Sequence, residues 1–397
     1  MLPRRYKPGV FVLTALNTAA STFYFNYLFF FLRDNFGFGN RENLWVSALH
    51  GFVYVIAAWQ GGRFAQRRGY FASLKLGYTL LTIVMLLGTV LNSVAGQLVV
   101  LALYSTALLF TWPALEALAT DGEPRRGVQR MVGIYNCTWA SFAALAFFGG
   151  GSFYDASAKT TVFLIPAVLF FSEFILASWL GGKTQSAAGT PSHSSAIPEP
   201  PRHPEPEAFC QPVSPKTFLH MAWLANPFAY VAINTLFAVM PAIGARLGLS
   251  PTQVGLFCSA WLFGRFAAFV ALWQWSGWHY RFRWLLAGFI GLLVGFLAIV
   301  LTSWLWLILI AQLLFGFATG TAYYASLFYS MDAGDAKGEH GGLHEAAIGT
   351  GICGGPLIGA LALTLMPNTP NVGVWAVGGL LVVGITALLW LRWRPAG

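Results

Sequence analysis

The chain alternates long apolar runs with short polar breaks from one end to the other. No formal charge interrupts residues 8–32, and charge-free or nearly charge-free stretches follow at 43–62, 76–115, 131–154, 160–181, 217–245, 247–280, 284–331 and 346–391. About 20 apolar residues in a helix cross the hydrocarbon core of a bilayer, so lipid is the expected solvent for most of the chain. Some stretches are too long for one crossing and contain turn signals: Asn92-Ser93 near Gly96-Gln97, Thr302-Ser303, and the segment from Met366 to Asn371. Cutting there predicts twelve spans, at 9–32, 43–62, 74–92, 97–119, 130–153, 160–181, 217–245, 251–273, 284–302, 305–330, 341–366 and 372–391. Helices satisfy their own backbone in lipid, and the alternation expected of barrel strands is not seen. The predicted class is an all-α membrane protein.

Composition agrees. Hydrophobic residues make up 57% of the chain and charged ones 9%, against about 25% charged in soluble domains. A net charge of +9 could suggest a nucleic-acid partner, but the basic residues sit in short loops between spans, which fits membrane orientation instead. With an even span count both termini share a side. Eighteen of the 23 lysines and arginines fall on it, the other side has Arg33, Arg41, Lys159 and Arg246, and Arg265 lies inside a span. That bias predicts cytoplasmic termini in a plasma (bacterial inner) membrane. The first apolar run is too long for a secretory signal and reads as a retained span. Cys137, Cys210, Cys258 and Cys353 are scattered, with neither disulfide nor metal-ligand spacing.

Residues 182–216 differ in kind, being rich in Pro, Ser and His and neutral overall. They predict a cytoplasmic tether, in which His193 and His203 read as solvated rather than as metal ligands. The tether divides the chain into six-helix bundles at 1–181 and 217–397. The two echo each other: Phe36-Gly37-Phe38-Gly39 opens the run into span 2 as Leu247-Gly248-Leu249-Ser250 opens span 8, and Trp59-Gln60 with Arg67 matches Trp273-Gln274 with Arg281. A parallel repeat of two bundles is a known transporter plan.

Here the chain resembles the major facilitator superfamily, over all twelve spans and the central linker. The best local motif is Gly62-Arg63-Phe64-Ala65-Gln66-Arg67-Arg68-Gly69, followed by Lys75, between spans 2 and 3. It is similar to the family's loop signature, except that Gln66 stands where the family usually has aspartate. The family's span-4 arginine is missing too, so its standard cytoplasmic gate does not carry over unchanged. A glycine pattern in span 11 (Gly342, Gly351, Gly355-Pro356, Gly359) is spaced like the family's antiporter motif but stands on a different span, and reads first as small-residue helix packing.

The informative residues are polar groups where lipid penalises them. Arg265 stands 14 residues into span 8, about 21 Å deep at 1.5 Å per residue. Its guanidinium must face the bundle interior, as an anchor for an anionic substrate or as a counter-ion. Glu345, beside His344 near the inner end of span 11, and Glu116 near the inner end of span 4 are candidates for proton coupling. Glu173 falls on span 6, which the family places outside the bundle, and reads as structural. The resemblance implies a cavity lined by spans 1, 4, 7 and 10, flanked by 2, 5, 8 and 11. On these lie Asn17, Tyr24, Tyr27, His50, Asn136, Trp139, Asn234, Arg265, Gln312, Tyr323 and Tyr324. The basic loop (Arg63, Arg67, Arg68) and the acids the fold brings near it (Glu116, Asp121, Glu123, Glu339, Glu345) suggest a charge-reversed cytoplasmic latch, with Arg67 facing Glu116.

No nucleophile elbow, metal-ligand cluster or phosphate-cradling loop is present, so no enzymatic activity and no cofactor is expected. The expected function is secondary active transport of a small organic solute by alternating access, proton-coupled, with a negative group on the substrate. An amphipath or drug exporter is the alternative within the class, and a non-transporting scaffold or sensor the alternative outside it. The expected partners are the substrate, protons and the bilayer, and the expected state is a monomer.

Overall fold

A computed structural model of the chain describes residues 4–123, 125–187, 213–332 and 339–394. Among them twelve helical rods run antiparallel: α1 Lys7–Phe36, α2 Asn40–Arg68, α3 Tyr70–Val90, α4 Val94–Thr120, α5 Arg130–Ser157, α6 Thr160–Lys183, α7 Pro215–Arg246, α8 Pro251–Gln274, α9 Phe282–Leu301, α10 Leu305–Ser330, α11 Glu339–Leu365 and α12 Val372–Trp393. Both ends of this series lie on one face, called here the terminal face. Ten rods are long and apolar enough to cross a membrane, which makes this an integral multi-pass membrane protein. The other two, α1 and α2, are diluted by polar residues that turn inward: Thr14, Asn17, Thr18, Ser21 and Asn26 on α1, and Ser47 and His50 on α2, are all buried. Large side chains such as Val168, Ile310 and Leu365 are instead well exposed on the outer surface, as lipid-facing positions should be.

The rods extend beyond the apolar runs because charged residues prolong helices into the polar boundary. α1 stops at Gly37, whose φ of 69° lets its N–H reach the carbonyl of Arg33 at 2.9 Å. Gly69, at φ 93°, is the single residue that turns the chain from the end of α2 at Arg68 into α3 at Tyr70. α4 consists of two pieces, Val94–Leu108 and Trp112–Thr120. Pro113 has no N–H for the carbonyl of Leu109 and would crowd it, so the helix opens there. α8 breaks at Ser259 into Pro251–Cys258 and Ala260–Gln274. α5 and α6 form one helical ribbon, Arg125–Ala187, bent at Ser157. The ribbon carries helix past the 181 boundary read from the sequence; residues 188–212 of the tether, with His193 and His203, lie outside the described residues.

The first six rods pack on one another, as do the last six, and the two sets meet along α2–α11, α5–α8, α2–α7 and α1–α7. The meeting is close because small residues permit it. A Cβ on Gly51 would strike the backbone of Cys353, and one on Gly151 would strike the carbonyl of Pro251. The span-11 glycines work the same way: a Cβ on Gly351 or Gly355 would collide with the carbonyls of Pro227 or Val231 on α7.

Candidate functional site

Between the two sets lies a cavity of about 190 Å³. Its walls come from α1, α2, α4, α5, α7, α8, α10 and α11, and none comes from α3, α6, α9 or α12. These are the eight rods that the resemblance places around and beside a cavity. Six of the named residues line it: His50, Trp139, Asn234, Arg265, Tyr323 and Glu345.

Arg265 is buried in this wall. Its guanidinium carbon stands 4.6 Å from the Trp139 ring, 5.2 Å from Tyr323, 5.6 Å from Tyr230 and 5.7 Å from Phe269. Ring faces attract a desolvated cation but give it no counter-charge. Nη2 donates a long hydrogen bond to the Tyr230 hydroxyl at 3.4 Å, and Nε has no acceptor. Among the described residues no carboxylate lies within 4.0 Å of it.

Glu345, on α11, accepts a hydrogen bond of 2.5 Å from the Tyr54 hydroxyl on α2. This bond joins the two helix sets through a buried carboxylate that has no basic partner among the described residues. Glu116, half-buried on α4, does not line the cavity but lies within electrostatic reach of Glu345. Tyr230, which accepts from Arg265, lines the same cavity as Glu345, so these polar groups share one wall. The His344 side chain lies outside the described residues.

The remaining named residues support the walls from behind. Tyr27 donates to the Phe147 carbonyl at 2.8 Å, tying α1 to α5. Tyr24 packs at 4.5 Å between ring centroids on Tyr104. Asn136 accepts from the Trp139 indole at 3.1 Å and so positions the ring that covers Arg265. Gln312 donates at 3.0 Å to the Phe257 carbonyl, beside the break in α8. Tyr324 packs on Phe269 and Trp278. Asn17 is buried with neither amide atom partnered. Glu173, fully buried on α6, stands apart from the cavity with Tyr78 as its neighbour.

Several wall residues were not singled out from sequence: Thr18, Ser21, Thr22 and Asn26 on α1, and Tyr54, Tyr104, Tyr135 and Tyr230. A signal for them existed. Tyr54 stands four residues from His50, Tyr135 four from Trp139 and Tyr230 four from Asn234, one helical turn in each case.

At the terminal face Arg63, Arg67 and Arg68, with Gln60 and Phe64, line a second cavity of about 520 Å³. Gly69 supplies the turn, and Gln66 is exposed. The close approach to α4 is made by Gly61, beside Gly62: a Cβ there would meet the Leu109 carbonyl at the break. Arg67 and Glu116 are not paired in this structure. Glu123 instead holds Lys7 at 2.9 Å, and Lys7 also donates to the Ala119 carbonyl at 3.1 Å. One acid of the expected latch is thus used inside the first helix set, while Asp121 ends α4.

On the opposite face the sets are clamped. Arg33 Nη1 donates to the Pro241 carbonyl at 2.9 Å. Asp155 accepts from the Thr252 N–H at 2.9 Å and from its hydroxyl at 2.5 Å, so α5 caps the start of α8.

No curated protein matches the chain. Among solved structures, a bacterial homologue of the human lysosomal transporter Spinster, in an inward-facing and occupied conformation, superposes with a TM-score of 0.67 at 14% identity over 100% of both chains. Its unoccupied inward-facing form gives 0.65 at 12%, covering 99% of this chain and 100% of that one. The nucleoside transporter NupG gives 0.70 at 10%, covering 97% and 99%. These likenesses show the fold. The family model of the Major Facilitator Superfamily matches residues 10–236, more than half of the sequence, and the chain belongs to that superfamily of membrane transporters.

Proposed function

We propose that the protein is a secondary active transporter that carries a small organic solute with a negative group by alternating access, coupled to protons. The observation that carries this reading is Arg265: a buried guanidinium, facing a cavity, with rings around it and no carboxylate partner among the described residues. A charge kept at that depth is costly without a role, and an anionic substrate would supply the missing counter-charge. Glu345, bonded across the two sets to Tyr54, is the proton carrier in this reading, with Glu116 and His344 beside it. The bundles 1–181 and 217–397 rock about the cavity, residues 182–216 tether them, and the excess of Lys and Arg puts the terminal face in the cytoplasm. The basic stretch from Gly62 to Gly69 then belongs to the cytoplasmic gate.

The exporter of bulky amphipaths fits less well. Pockets for drug-sized ligands run to about 300 Å³ and more, above the 190 Å³ found here. In proteoliposomes, uptake and counterflow of a panel of small carboxylates should be lost by at least about a hundredfold in Arg265→Ala and partly kept in Arg265→Lys. Undiminished carboxylate transport by Arg265→Ala would remove the basis of the proposal.

A further inference from the structure

The reading of Arg265 as an anion anchor leaves the other end of the substrate open, and the wall built by α1 and α2 bears on it. Thr18, Ser21, Thr22 and Asn26 face the cavity from α1, and His50 and Tyr54 from α2. The Thr18 hydroxyl donates to the Thr14 carbonyl at 2.7 Å and that of Ser21 to the Asn17 carbonyl at 2.6 Å. Each hydroxyl has one hydrogen, so both can only accept from a ligand.

His50 reaches the same condition by elimination. Its Nδ1 lies 2.7 Å from the Ser105 hydroxyl, whose own hydrogen goes to the Leu101 carbonyl at 2.6 Å. The ring therefore donates from Nδ1 and keeps a lone pair on Nε2. Tyr54 has given its hydrogen to Glu345. The amides of Asn26 and Asn234 each commit one N–H to a backbone carbonyl, of Thr22 at 2.7 Å and of Tyr230 at 3.1 Å. Each keeps an oxygen and one N–H for a ligand. Of the α1–α2 wall, Thr18, Ser21, His50 and Tyr54 thus offer acceptors, while Thr22 and Asn26 offer both a donor and an acceptor; Arg265 only gives hydrogen bonds.

We infer that the substrate is a small carboxylate bearing N–H or O–H donors at its far end, an amino acid or a hydroxy acid, with the carboxylate on Arg265 and the donors on the α1–α2 wall. The inference rests on the proposed role of Arg265. It also accounts for the location of the two poles: Arg265 belongs to the second helix set, and Thr18, Ser21 and His50 belong to the first. A ligand with both groups ties the sets together, which closure around a substrate requires. An acid without donors occupies one pole only.

The test uses the purified full-length protein and matched trios on the skeletons of butyrate, 3-phenylpropionate and indole-3-propionate, each as the plain acid, a hydroxy acid and an amino acid. The readout is the ligand concentration that gives half of the maximal melting-temperature shift. Within every skeleton that binds, the hydroxy or amino member should half-saturate at least about tenfold lower than the plain acid, the worth of one well-made hydrogen bond. Which of the two binds tighter distinguishes hydroxyl from ammonium recognition. In Thr18→Val/Ser21→Ala that ratio should fall below about threefold with the plain acid unaffected. His50→Leu, which deletes the Nε2 acceptor, gives a second reading if the double variant is unstable. Plain acids binding as well as their hydroxy and amino partners, or a ratio unmoved in both variants, would overturn this inference and leave the role of Arg265 standing. If no compound of the nine shifts the melting temperature, both readings fail.

Discussion

Glu345 and Tyr54 show why a residue's depth alone does not define its role. From sequence, Glu345 could be an interfacial charge at a helix start; in the structure it is buried and holds a hydrogen bond to the opposite helix set. A carboxylate in that position can link its protonation to the relation between the sets. Glu345→Gln keeps the size and the acceptor for Tyr54 but can neither gain nor lose a proton. Counterflow at symmetric pH should stay within about threefold of wild type, while accumulation driven by a pH gradient should vanish. Retained uphill transport would place the coupling group elsewhere. Arg265 and Glu345 were legible because lipid makes an intramembrane charge conspicuous. Thr18 and Ser21 were not, because hydroxyls in membrane helices habitually bond to the preceding turn of their own backbone, as both do here. Nothing distinguishes such a residue until the face of its helix is known.

At the level of elements, the apolar runs located all twelve rods, and the errors cluster where backbone chemistry rather than hydropathy decides. The opening of α4 before Pro113 and the break of α8 at Ser259 lie inside apolar stretches, where a hydropathy reading sees no boundary. The glycine pattern of α11 was legible as packing, but its direction was not. Gly351 and Gly355 press on α7, whereas nothing lies within 4 Å of a Cβ placed on Gly354. Neighbouring glycines should therefore respond differently to the same change. Gly355→Ala forces a methyl group against the Val231 carbonyl and should destabilise the protein by roughly 1–3 kcal/mol, read as a lower melting temperature in detergent. Gly354→Ala should leave that temperature unchanged or slightly raised, since alanine also removes backbone freedom from the unfolded chain. Equal losses at both positions would mean that α11 does not pack on α7 in this register.

For the whole molecule, the clamp and the unmade latch belong to one argument. On the face away from the termini, Asp155 caps α8 and Arg33 reaches the Pro241 carbonyl, so the sets are tied there. On the terminal face Arg67 and Glu116 are apart, and one expected latch acid is taken up by Lys7. A transporter working by alternating access needs each face closed in turn, so contacts present on one face and unmade on the other are what a single state of such a cycle would show. If so, removing the clamp and removing the latch must push the equilibrium in opposite directions. Asp155→Ala deletes a carboxylate held by the N–H of a helix start, a charge-assisted contact of about 1.5–3 kcal/mol, and should favour the state open away from the termini. Arg67→Glu deletes the latch of that same state and should disfavour it. Ser47, buried on α2 where it reaches the Asn234 carbonyl of α7 at 3.4 Å, is a suitable reporter. As Ser47→Cys in a background with the native cysteines replaced, it should react with an impermeant maleimide about tenfold faster when Asp155→Ala is added. It should react more slowly with Arg67→Glu, and Glu116→Arg in that second background should restore the rate. Labelling that moves in the same direction for both changes would show that the two faces are not alternately closed.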